Sequence, residues 1–162
     1  TGKSNCPRYF LSDIGGLSMQ LNFTDMEYNF RRKKTRREEF LETMQTLLPW
    51  DEWADLVRPH YPSGSRGRKP QPIQRMLKMY MLKNWFDLSD LSTEEAVYDS
   101  YSMKRFLQLD FSQNDQVPDS TTLCKFRTLL KKLELEETIH SQIKSILKAN
   151  NFQIRNGILI KR

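Results

Sequence analysis

Apolar residues recur at three- and four-residue spacing through most of the chain, the period of a helix rather than a strand. Thr35 and Glu38 have the spacing of a capping box. Phe40, Met44, Leu47 and Leu48 carry the stripe on to about residue 48, where Pro49 disfavours a further helical turn. Trp50, Trp53, Leu56 and Val57 then predict a short second helix facing the core. Residues 58–72, with four prolines around Gly64 and Gly67, form the clearest loop. Residues 72–86 predict a strong helix with Ile73, Leu77, Tyr80 and Met81 inward and Met76 and Trp85 flanking them. Arg75, Lys78 and Lys83 are expected at its more exposed angles. Ser92 and Glu95 suggest a cap for a short helix to about Asp99. Met103, Phe106, Leu107 and Leu109 predict another over 102–109. A helix is expected from Asp119 or Ser120 to about 132, with Leu123, Phe126, Leu129, Leu130 and Leu133 inward. The next, over 135–149, turns Ile139, Ile143, Ile146 and Leu147 inward.

The period changes only at the end. Residues 152–160 read as strand, turn, strand around Asn156 and Gly157, a favoured pair for a tight hairpin. A lone hairpin is weak by itself, so it is expected to begin a sheet that continues in further sequence. The expected fold class is all-α: a compact multi-helix domain with a short C-terminal β segment. The helices over 92–132 leave a helix-turn-helix-like unit open, although their connection of about ten residues is longer than that motif uses.

Charge sharpens this picture by its position. Of 162 residues, 26 are Lys or Arg and 20 are Asp or Glu, a formal charge of +6. Residues 1–85 carry 15 basic and 9 acidic side chains, and residues 86–162 carry 11 of each, so the excess lies in the first half. A localised excess is the footprint of a polyanion partner. Arg31, Arg32, Lys33, Lys34, Arg36 and Arg37 place six basic side chains in seven positions. A phosphate backbone would neutralise them, and a solvated arm is the competing reading. Arg66, Arg68 and Lys69 sit in the Pro/Gly/Ser loop, where they would follow a groove or simply face solvent. Thr121, Thr122, Lys125 and Arg127 lie near the start of the helix from 120, where short polar and basic groups reach bases or phosphates.

Little else carries chemistry. Cys6 and Cys124 are isolated, as are His60 and His140, so no metal cluster is expected and a reducing compartment is the simplest reading. Gly64 and Gly67 lack the context of a nucleotide-binding loop. Asp87, Asp90, Glu94, Glu95 and Asp99 are explained by caps and solvent faces. No window approaches a membrane span, and no cofactor is expected. Residues 1–18 read as a leader or extension without a signal-peptide core, followed by the scattered apolar anchors Phe23, Tyr28 and Phe30.

Several ordered segments resemble one family. They include Leu21 to Phe23, Arg36 to Phe40, Leu48 to Trp50, Tyr61 and Pro62, Gly67 to Pro70, and Met76 to Trp85. Leu88, Ser89 and Asp90 lead into Glu94, Glu95 and Ala96, followed by Tyr98, Asp99, Ser102, Met103, Arg105 and Phe106. The block closes on Pro118, Asp119, Ser120, Thr121 and Thr122 with Phe126, Arg127 and Leu130. In this order they resemble the N-terminal region of IS5-type, InsH-like transposases of the IS4/IS5 class, from about Met19 to Arg162. The resemblance implies a helical DNA-binding domain over 19–150 and the start of a catalytic-domain sheet over 151–162. It implies binding to the terminal inverted repeats of the element, in the cytoplasm and associated with the nucleoid, with DNA, a homo-oligomer or full-length transposase as partners.

Such transposases cut DNA with a divalent metal held by an Asp-Asp-Glu triad. Residues 157–161 resemble the lead-in to the strand bearing the first Asp, and no position here matches that Asp. The resemblance therefore implies a chain without catalytic competence of its own. The alternatives are an oligomerisation or regulatory module, served by the helices over 72–86 and 135–149, and a vestigial truncated product.

Overall fold

A computed structural model describes residues 30–31, 33–64, 69–111, 115–155 and 157–161. The chain divides into two units, Thr1–Lys33 and Lys34–Arg162, and the architecture below is that of the second. It is mostly α-helical, with a short antiparallel hairpin at its C-terminal end. In chain order the elements are α1 (Arg36–Leu47), α2 (Trp50–Val57), a 3₁₀ turn (Arg58–His60), α3 (Ile73–Trp85), α4 (Asp90–Asp99), α5 (Tyr101–Phe106), α6 (Ser120–Lys132), α7 (Leu135–Ala149), β1 (Phe152–Arg155) and β2 (Ile158–Lys161).

Local chemistry sets most of the helix starts. Thr35 caps α1 by accepting from Glu38 N at 3.2 Å, as the spacing predicts. Asp119 caps α6 through Thr122 N at 2.6 Å. α4 departs from expectation. Its cap is Ser89, which accepts from Ser92 N at 3.0 Å, so the helix begins one turn before the Ser92–Glu95 pair. Pro49 separates α1 from α2 and precedes the first turn of α2.

α3 forms the centre. Residues 76–82 are all buried, including Lys78, so it is surrounded rather than one-faced. The expectation that Lys78 lies at an exposed angle is therefore corrected: α3 has no solvent stripe along these two turns. α2, α4 and α6 pack against α3, while α1 packs on α5 and β2. An edge-to-face aromatic cluster closes the core at one end. Phe40 meets Trp85 at a centroid separation of 5.1 Å, Trp50 meets Trp53 at 5.4 Å, and Trp50 meets Phe106 at 5.7 Å. Leu56, expected inside with the tryptophans, is 46% exposed, and Ala54 takes the inward position.

Two polar links hold α7 to this centre. Trp53 Nε1 donates to Gln142 Oε1 at 2.5 Å, and Tyr80 donates its hydroxyl to Glu136 Oε1 at 2.8 Å. The hairpin pairs Phe152 with Lys161 and Arg155 with Ile158. Phe152, Ile154 and Leu159 pack against the helical core, so its apolar face is covered by helices. Gly157 adopts φ +68°, and a Cβ there would collide with the Phe86 ring.

Candidate nucleic-acid interface

α6 is amphipathic. Leu123, Phe126 and Leu130 are buried, while Thr121, Cys124, Lys125, Thr128, Lys131 and Lys132 are exposed. Those six follow three- and four-residue spacing, so they form one outward face along the helix. The helix contains no acidic residue. Its outward face therefore offers short polar groups beside three ammonium groups. The helix from 120 thus presents two sequence-predicted residues, Thr121 and Lys125, together with Cys124, Thr128, Lys131 and Lys132. Cys124, Thr128, Lys131 and Lys132 were not among the residues expected from sequence, which lie in the first two turns. Continuing the Thr121–Lys125 spacing along the helix at three and four residues reaches Thr128, Lys131 and Lys132.

The other two predicted residues have internal partners. Arg127 Nη2 lies 3.0 Å from Asp90 Oδ2, an ion pair that ties α6 to α4. Thr122 gives its backbone N–H to the Asp119 cap. The tip of α6 carries negative charge: Ser120 N donates to Glu94 Oε2 at 2.7 Å while Asp119 caps the same turn. A free helix N-terminus attracts phosphate, but two carboxylates already hold this one. The cationic part of the helix is its middle and C-terminal end.

The basic run before and into α1 is partly described. Arg31, Lys33, Lys34, Arg36 and Arg37 are exposed, and Arg32 lies outside the described residues. Lys34 Nζ sits 2.8 Å from Glu42 Oε2, and this bond and charge raise the ammonium pKa. Arg37 stacks over the Phe86 ring at 5.3 Å. Phe30, expected as an anchor, is exposed, while Phe23 and Tyr28 fall outside the described residues. In the loop, Lys69 is exposed and Arg66 and Arg68 lie outside the described residues. Tyr61 donates its hydroxyl to Gln71 O at 2.8 Å and so closes the loop across its base. Within the second unit, α1, which carries Arg36 and Arg37, packs on α5 and β2, whereas α6 packs on α3, α4 and α7.

The connection before α6 is anchored by Arg75. Its guanidinium meets Asp115 Oδ2 at 2.8 Å and Oδ1 at 3.3 Å, and also the carbonyls of Leu107 at 3.4 Å and Gln108 at 3.2 Å. A bidentate Arg–carboxylate pair fixes direction as well as distance. It therefore joins α3, the end of α5 and the segment leading to Asp119. This link was missed because Arg75 reads as a solvent residue in a helical pattern, and Asp115 lies 40 positions away.

Asp119 caps α6, Asp90 pairs with Arg127, and Glu94 accepts from Ser120 N. Among the described residues no group of three or more His, Cys, Asp or Glu is placed to hold a metal ion. The helix α3, considered from sequence as a pairing surface, is enclosed and presents no face over residues 76–82. Among the described residues no helix is long and apolar enough to cross a membrane.

Comparison with known proteins supplies a family. Residues 28–129 match the family described as "Transposase domain (DUF772)". The matched stretch runs from before α1 through most of α6. No solved structure matches the chain.

Proposed function

The chain belongs to the transposase-domain family DUF772, and from that premise we propose that it recognises duplex DNA in transposition of the IS5-type, InsH-like kind. The observation that carries this reading is the outward face of α6, an acid-free stripe of Thr121, Cys124, Lys125, Thr128, Lys131 and Lys132. Lysines on such a face neutralise phosphates and fix register, while short hydroxyl side chains approach base edges. Arg127 acts here as a positioning residue, holding α6 on α4 through Asp90. The basic residues 31–37 and 66–69 add phosphate contacts. The sequences recognised are the terminal inverted repeats of the element that encodes the chain. Strand cleavage falls to carboxylates outside the described domain.

The test is a gel mobility shift with duplexes copied from the two ends of the encoding element. A retarded complex is expected at low salt, and Lys125→Glu with Lys131→Glu and Lys132→Glu should weaken it at least about tenfold. Absence of any complex at low salt would sink DNA recognition. Equal affinity for a shuffled duplex would sink the inverted-repeat part of the reading.

A further inference from the structure

Thr128 lies at the middle of the outward face of α6. It stands three residues from Lys125 and three from Lys131. Each lysine is therefore about 60° from it around the helix axis and about one turn away along it. Thr121 and Cys124 fall within about 40° of the same line. The face is a strip of short side chains with ammonium groups on both borders, and Lys132 stands on the Lys125 side. The hydroxyl of Thr128 donates to Cys124 O at 2.9 Å. A hydroxyl has one proton, so toward a ligand this oxygen only accepts. The same carbon carries a methyl group. Thr128 thus offers an acceptor and an apolar group side by side, oriented by the bond to the preceding turn.

We infer that Thr128 is a specificity-determining residue that selects an A·T pair, its oxygen accepting from the adenine amino group and its methyl touching the thymine methyl. This rests on the recognition of duplex DNA by α6 and names what the middle of that face reads. In the major groove adenine and cytosine present an amino donor, and thymine alone presents a methyl group. Only an A·T pair offers both, whereas a G·C pair leaves the Thr128 methyl without a partner. The groove is about 12 Å wide and admits a helix. Short groups at the centre reach its floor while lysines at the borders reach the phosphates on either side. The helix meets the duplex by its side, because Asp119 and Glu94 place carboxylates at its tip, where an end-on helix would meet phosphate. Cys124 adds a small, weakly polar neighbour to the apolar contact.

The experiment titrates fluorescein-labelled duplexes, copied from the two ends of the encoding element, with the full chain and follows their anisotropy. Each thymine in turn is replaced by uracil, which lacks only the methyl group. For the wild-type chain, replacement at one position should weaken binding about fourfold, the contribution of one buried methyl group, with the salt slope unchanged. Thr128→Ser keeps the hydroxyl and removes the methyl. It should bind the unmodified duplex about fourfold more weakly and be indifferent to uracil at that position. Thr128→Val removes the acceptor and keeps the apolar contact. It should stay sensitive to uracil there, yet ignore replacement of the paired adenine by purine, which lacks the amino group and weakens wild-type binding about fivefold. Lys125→Gln with Lys131→Gln should instead flatten the salt slope and leave the uracil pattern as it is. Circular dichroism checks that each variant folds, and if one threonine variant does not, the other decides. A wild-type chain indifferent to uracil at every thymine would overturn the inference and leave duplex recognition standing. So would a folded Thr128→Ser protein still sensitive to uracil at that position, or a folded Thr128→Val protein still sensitive to purine. A wild-type chain that forms no complex with any duplex at low salt would overturn both readings.

Discussion

Lys78 is 1% exposed, and its amine lies 3.3 Å from Gln108 Oε1 and 5.9 and 5.7 Å from the Trp50 and Phe106 ring centres. Burial, helped by the neighbouring Arg75 charge, lowers its pKa to about 8. Between that value and the ordinary lysine range, the unfolded chain binds more protons than the folded one. Stability from this group therefore rises with pH across that window, and below it the penalty of a buried charge is fully present. Lys78→Met should stabilise the protein at pH 7 by about 1 kcal/mol or more, with the gain shrinking as pH rises from about 8 toward the ordinary lysine value. Urea melts of both proteins across that range check it, and a gain independent of pH would contradict it. Asp115 behaves oppositely. Burial alone would raise its pKa, but the hydrogen bonds from Arg75 and the Asp110 amide hold it below the usual carboxylate range. Its contribution is present above the ordinary carboxylate pKa and is lost as pH falls through the depressed folded value. Asp115→Asn should cost roughly 1 kcal/mol at pH 7, and urea melts should show that cost fading in acid.

At the scale of elements, α6 separates holding from recognition. Arg127→Ala removes the bond to Asp90 and should lower the melting temperature, whereas Lys125→Ala, on the outward face, should leave it within about a degree or two. Thermal scans of the pair distinguish the two roles, and equal losses would contradict the division. Gly157→Ala should destabilise the hairpin end by roughly 1–3 kcal/mol, because the residue sits at φ +68° against the Phe86 ring. The same elements show what sequence could reveal. Periodicity located α2, α6 and α7 well, since each has one apolar face, and α6 also has the Asp119 cap. The hairpin was legible from Asn156 and Gly157. α4 was misplaced by a turn because two serines three residues apart both look like caps. Lys78 and Leu56 were misassigned because burial there depends on how many helices surround α3, a tertiary fact that local period does not encode. For the proposed site, the exposure of Thr121 and Lys125 was legible from position near a helix start. The internal partner of Arg127 was not, because Asp90 is 37 residues away.

For the whole molecule, the helical unit turns acidic side chains inward around α6 as caps and partners and leaves the lysines of that helix outward. Asp119 and Glu94 hold the helix tip, Asp90 holds its middle, and Lys125, Lys131 and Lys132 remain for a polyanion. The proposed recognition of duplex DNA rests on the family membership and this arrangement. Counterion release makes such binding steeply salt-dependent, and each phosphate-contacting lysine contributes about one unit of slope. The most direct measurement is duplex affinity by fluorescence anisotropy across a salt series, for the wild-type chain and for Lys125→Ala with Lys131→Ala and Lys132→Ala. The account predicts weaker binding for the triple variant and a log–log slope shallower by about 3. A folded triple variant with wild-type affinity and slope would contradict it.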